Sequence, residues 1–218
     1  MSRCSWSAVS APAVASARLP RSLLYAVARH ESAFVPTARS GRGAMGLTQL
    51  LPSVARSVAT HFELEVKSKR ALRKPDYNLA LGAHYLAELT RFYRGNHVMA
   101  VAAYNAGPYA VKRWWKKTGK VPTDVFVEQI PYGQARAYAK RVIATEQAYA
   151  WLNPQWAEAE RVGRGRHPYT PESLGPFFER GDDKSDDTAW LAPDQATQPA
   201  HHQTAPARRP GLPAAPRL

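Results

Sequence analysis

The sequence predicts a mainly α domain followed by a polar tail, on three observations. Apolar residues recur at three- and four-residue spacing from about Leu19 to Leu152, and no stretch alternates apolar and polar residues long enough for a substantial strand. Beyond Asn153 the composition shifts, with ten of the chain's 18 prolines falling there. The expected division is an N-terminal segment at 1–18, a helical domain at 19–152 and a Pro-rich tail at 153–218. The tail is expected to be largely disordered around a short ordered piece near "PESLGPFFER", because such a composition buries too little apolar area to offset its ordering entropy.

The elements follow in order. Pro20 suits a first helical turn, and the helix it opens ends before Pro36. Leu24, Val27 and Glu31 stand at i, i+3 and i+7, so a carboxylate lies on the stripe that should be buried. His30 is turned roughly 100° away from that stripe and is not expected to be its partner. Next comes the glycine-rich "TARSGRGAMGLTQLLP", with a short irregular hairpin expected around Arg39 to Met45, and then a helix through "PSVARSVATHF". A third helix is expected from Asp76 as N-cap through Leu79, Ala83, Leu86 and Leu89, and a fourth over "HVMAVAAYN", stopped by Gly107 and Pro108. After the basic aromatic stretch "VKRWWKK" come a short helix from about Thr123 and a turn at Ile130 and Pro131. The last helix carries its stripe on Tyr138, Val142, Thr145, Tyr149 and Leu152.

The net charge of +13 is unevenly spread: residues 1–152 carry 22 Lys and Arg against 8 Asp and Glu, while the tail carries 8 against 9. So basic a body implies a polyanionic partner, and nucleic acid, anionic lipid and bacterial cell wall all qualify. The single cysteine, Cys4, allows no intramolecular disulfide and has no His or Asp beside it to make it a nucleophile. No run reaches the roughly 18 apolar residues of a membrane span. "MSRCSWSAVSAPAVASA" offers small residues without a convincing apolar h-region, a poor signal peptide, or the start lies inside a longer reading frame.

Three constellations bear on chemistry: "ARHESAF" with its glycine-rich sequel, "AAYNAGP" and "FVEQIPYGQARAY". A glutamate on a semi-apolar helix face has its pKa raised by desolvation, which suits a general acid near neutral pH; the alternative is a helix-edge glutamate reaching water. "SGRGAMG" lacks the spacing and Lys-Ser/Thr ending of a phosphate loop. Tyr and Asn together supply a ring face and amide hydrogen bonds, the groups that bind sugars and N-acetyl substituents. His30, His61, His84 and His97 are not at metal-ligand spacing, so no metal is expected.

Taken in order, "ARHESAFVPTARSGRGAMGLTQLLPSVA", "PDYNLALGAHYL", "AVAAYNAGP" and "FVEQIPYGQARAYAKRV" resemble the catalytic domain of the soluble lytic murein transglycosylase family, with its goose-type-lysozyme-like helical fold and catalytic cleft. The resemblance implies that Glu31 is the catalytic acid/base, with Ser32 supporting its helix environment. It implies substrate contacts from Ser40, in the loop that meets the N-acetyl group, and from Gly46, Leu47 and Gln49, of a Gly-Leu-Met-Gln motif whose glycine permits close approach and whose glutamine points into the cleft. Tyr104 and Asn105 belong to an Ala-Tyr-Asn-Ala-Gly motif whose tyrosine lies near the catalytic carboxyl and orients it. The resemblance also implies substrate contacts from Glu128, on the cleft wall, and from Tyr132, which with Arg136 and Tyr138 falls in the segment that follows. The sequence departs from the family at Thr48, where methionine is usual, and at Leu51, both bearing on the shape of the sugar subsites.

The reaction so implied is cleavage of the β-1,4 bond between N-acetylmuramic acid and N-acetylglucosamine, leaving 1,6-anhydromuramoyl ends and needing no cofactor. Its partner is the peptidoglycan glycan strand, its place periplasmic or exported, and its expected state a monomer that binds no nucleic acid. A lysozyme-like hydrolase is the nearest rival and would need a second carboxylate to activate water. A non-catalytic wall-binding module and a nucleic-acid binder are the others.

Overall fold

The computed structural model describes residues 12–119 and 121–156. The expected tail beyond 156, with "PESLGPFFER", and the N-terminal stretch with Cys4 lie outside the described residues. Helical residues 12–17 (α1) lead into α2 (Arg21–Ser32), α3 (Pro52–His61), a 3₁₀ turn (Lys69–Arg73), α4 (Pro75–Phe92), α5 (His97–Ala106), α6 (Pro108–Thr118), α7 (Thr123–Glu128) and α8 (Gly133–Leu152). The described fold is thus mainly α, and its only β features are isolated antiparallel bridges, Arg39 with Met45 and Met45 with Leu50. The first falls where the short irregular hairpin is expected, and the second carries the pairing on to Leu50.

At the centre lies α5, whose residues are all buried except Val98. A helix apolar all round must be surrounded, and α4, α6 and α8 pack against it, with α8 also lying along α2. The Asn96 side chain caps α5 by accepting the Met99 N–H at 3.1 Å and donates to the Thr123 hydroxyl at 2.8 Å, fastening the starts of α5 and α7 together. Gly107, at φ +86°, turns the chain from α5 into α6.

Several local readings are corrected. Pro108 does not merely stop a helix; it opens α6 as a first-turn proline, and "VKRWWKK" is helical. Ala110, Val111, Trp114 and Trp115 face inward, while Arg113, Lys116 and Lys117 are exposed. Asp76 is not an N-cap. Pro75 claims the first helical position, and Asp76 lies in the first turn, where its charge still suits the helix dipole. The α8 stripe frays at its end, with Leu152 63% exposed. Beside that stripe, Glu146 is buried and makes a 2.8 Å contact with His97 of α5. The core also reaches N-terminal of residue 19, since Ala13 and Val14 of α1 join it.

Candidate functional site

Glu31 sits one residue from the end of α2, which Ala33 closes in the left-handed conformation. The apolar stripe below it, Leu24 and Val27, is fully buried, so the carboxylate is set where the stripe meets the surface and is itself half-buried. From α8, the Tyr138 hydroxyl donates to Glu31 Oε1 at 2.6 Å. Burial pushes the Glu31 carboxyl up to about 7, and the Tyr138 hydrogen bond pulls in the opposite direction. Tyr138 is held protonated: burial, then the Glu31 charge, push its phenol well above the ordinary range. His30 points elsewhere, with its Nε2 at 2.8 Å from the Thr145 hydroxyl.

The glycine-rich segment wraps this helix end. Ser32 donates its hydroxyl to the Leu47 carbonyl at 2.8 Å, and Tyr104, from α5, donates to the Thr48 carbonyl at 2.7 Å. Tyr104 lies within the field of Glu31, whose charge adds to burial in raising the phenol well above its usual range. The hydroxyl that reaches the carboxyl is therefore that of Tyr138, while the Tyr104 hydroxyl holds the loop. Gln49 is buried, and its Nε2 donates to the Ala38 carbonyl at 3.1 Å and the Gly46 carbonyl at 2.9 Å, binding its own loop together. Gly46, at φ +82°, has a structural requirement: a Cβ there would stand 2.1 Å from the Leu72 carbonyl oxygen. Ser40 closes the neighbouring turn, its Oγ accepting the Ala44 N–H at 3.0 Å.

The departure at Thr48 lies in the interior rather than at a sugar subsite. Thr48 is fully buried, with its hydroxyl 2.8 Å from Asn78 Oδ1. Its side chain fits against Gly82, where a Cβ would come within 2.5 Å of the hydroxyl. Asn105 is buried with Oδ1 unpartnered, an acceptor aimed at no protein donor. Glu128 is exposed and ion-paired with Lys140, and Arg136 donates to the Glu128 backbone carbonyl at 2.8 Å. Tyr132, 55% exposed at the start of α8, meets the ring of Trp114 edge-on at 5.4 Å. Six residues of helix place it roughly 9 Å along α8 from Tyr138. Among the described residues, no three His, Cys, Asp or Glu side chains converge on a metal-binding point, and no helix is long and apolar enough to cross a membrane.

Two residues at this site carry no role in the sequence reading: Tyr138, which looked like one more member of an apolar stripe, and Asn78. The first can be tested directly. Tyr138→Phe keeps the ring and removes the donor, and the loss of a buried bond to a charged group predicts turnover lower by about 10–100-fold. Because that bond favours the carboxylate, its removal also moves the alkaline limb of the pH–kcat profile to higher pH; an unshifted limb would show that the bond does not tune Glu31.

Residues 10–127 match the model of the transglycosylase SLT domain. The chain is 37% identical over 157 residues to the putative soluble lytic murein transglycosylase of Haemophilus influenzae, covering 70% of this chain and 26% of that protein. It is 35% identical over 151 residues to the soluble lytic murein transglycosylase of Escherichia coli K12, covering 67% of this chain and 23% of that one. Among solved structures, an inactive mutant of lytic transglycosylase Slt from Pseudomonas aeruginosa superimposes with a TM-score of 0.64 at 38% identity, over 66% of this chain and 24% of that chain. The 70 kDa soluble lytic transglycosylase of Escherichia coli gives 0.65 at 32% identity, over 67% and 24%. The chain thus spans about a quarter of the length of these relatives. With the family model covering more than half of its residues, this chain belongs to the transglycosylase SLT domain family.

Proposed function

We propose that the protein is a peptidoglycan lytic transglycosylase in which Glu31 performs both proton transfers. Protonated near neutral pH, Glu31 donates to the oxygen linking N-acetylmuramic acid to N-acetylglucosamine, and that C1–O bond breaks. The substrate's own 2-acetamido oxygen stabilises the oxocarbenium-like C1, as in substrate-assisted glycosidases. The resulting carboxylate takes the proton of the muramic 6-hydroxyl as O6 bonds to C1, closing the 1,6-anhydro ring with no water consumed. Tyr138 holds the carboxyl in place through both steps. Ser40, Asn105, Glu128 and Tyr132 wall the substrate, together with the backbone of the loop that Gly46, Leu47 and Gln49 build and Tyr104 holds. The reaction belongs outside the cytoplasmic membrane, in the periplasm or beyond, and the basic body meets the muramic and stem-peptide carboxylates of the wall.

The observation that carries this reading is a solitary carboxyl. Burial alone raises Glu31, with no acidic neighbour contributing. The other carboxylates of the described residues are engaged or placed elsewhere: Glu65 with Lys67, Glu88 with Arg91, Glu128 with Lys140, Glu146 with His97, Glu63 exposed in the turn after α3, and Asp76 and Asp124 exposed in the first turns of α4 and α7. An inverting hydrolase would need one of them roughly 6.5–9.5 Å away across the substrate. Mass spectrometry of fragments released from purified sacculi tests the reading. Anhydro ends, one water lighter than hydrolytic products and resistant to borohydride, are expected; reducible muramic ends would mean that water attacks instead.

A further inference from the structure

Asn78 is fully buried in the first turns of α4, and its carboxamide makes three bonds to one loop. Its Oδ1 accepts the Thr48 N–H and the Thr48 hydroxyl, both at 2.8 Å, and its Nδ2 donates to the Met45 carbonyl at 3.0 Å. Two glycines make room for this clasp. A Cβ on Gly46 would fall 2.3 Å from Asn78 Nδ2, and one on Gly82 would collide with the Thr48 side chain. The strand of loop so held, Met45 to Thr48, presents two successive carbonyls, Leu47 and Thr48, to Ser32 and Tyr104. Ser32 is the residue after Glu31, and Tyr104 lies in the field of its carboxyl.

We propose that Asn78 is a positioning residue for the Glu31 site, acting through the Thr48 carbonyl on Tyr104 and through the Leu47 carbonyl on the end of α2. A carboxamide is required because one group must accept from an N–H and an O–H on one side and donate to a carbonyl on the other. Aspartate has the same shape, but its second carboxylate oxygen would face the Met45 carbonyl with no proton between them. The proposal rests on Glu31 as the acid, and the test below separates the two.

Turnover is measured on soluble uncross-linked glycan strands for the wild type, Asn78→Asp, Tyr104→Phe, the double variant and, as a control on the acid, Glu31→Gln. Asn78→Asp is expected to lower kcat about 10–100-fold with KM changed less than about threefold. If Asn78 acts through the Thr48 carbonyl on Tyr104, the two substitutions are not additive, and the double variant lies within about threefold of the worse single one. Multiplication of the two losses, or full kcat in a folded Asn78→Asp, would overturn the proposal. Activity in Glu31→Gln would instead remove the acid assignment and leave the coupling between Asn78 and Tyr104 to be judged on its own. Should Asn78→Asp fail to fold, Thr48→Val decides. It removes only the hydroxyl's share of the clasp and is expected to lower kcat about threefold, whereas full activity would count against the proposal.

Discussion

Glu31→Gln yields a folded protein that releases no soluble fragments from sacculi, with turnover down by at least about 10³-fold. The loss stands at the upper end for a general acid because, in the proposed mechanism, one carboxyl serves as acid in the first step and base in the second, and a carboxamide does neither. Circular dichroism and thermal melting check the fold, and fragment release checks the activity. A folded variant that still clears the wall would remove Glu31 from the mechanism.

The same substitution has a pH signature in stability. The Glu31 pKa is raised from 4.5 to about 7 in the folded protein, so between those values the native state holds a proton that the unfolded chain releases. This contribution is fully present below about 4.5 and is lost as pH rises through about 7, a change on the order of 3 kcal/mol. Glutamine carries no such proton. The variant should therefore melt with the wild type near pH 4.5 and several degrees above it at pH 8. Parallel melting curves across that range would mean that the carboxyl is not desolvated in solution.

The largest stability effect is expected at Gly46. Alanine there adds a side chain at φ +82° and drives Cβ into the Leu72 carbonyl oxygen and the Asn78 carboxamide, neither of which can retreat without breaking the loop. Left-handed strain and overpacking together predict a loss of about 3–5 kcal/mol, or a fall in Tm of roughly 10 °C or more. Gly43 is the control. It has φ +84° but open space around it, so Gly43→Ala should cost only about 1 kcal/mol. Equal melting temperatures for the two variants would show that the close approach to Leu72 and Asn78 is absent.

Much of the α architecture was legible because its signals are local. The stripes of α2 and α4, the breakers around Gly107 and the turn at Ile130 all lie within a few residues of what they control. The helical nature of "VKRWWKK" was missed because Gly107 and Pro108 read as a stop, although a proline ends one helix and begins the next with equal ease. At the site, Glu31 was legible as a polar residue on an apolar face. The identity of its partner was not, because the 138 position obeys the same periodicity whether its hydroxyl is used or idle. Thr48 shows the opposite limit: by motif it belonged to the substrate, but the hydroxyl found Asn78, thirty residues away, and a hole left by Gly82.

The bond between Tyr138 and Glu31 joins residues 107 apart, one on α2 and the other on α8. A ribosome makes Glu31 early and Tyr138 late. α8 packs along α2, so before it docks Glu31 is expected to be more solvated and closer to its ordinary acidity, ionised at neutral pH. Burial in the assembled fold raises it to about 7, so under the proposed function a nascent or clipped molecule lacking α8 would lack the protonated acid that the reaction needs.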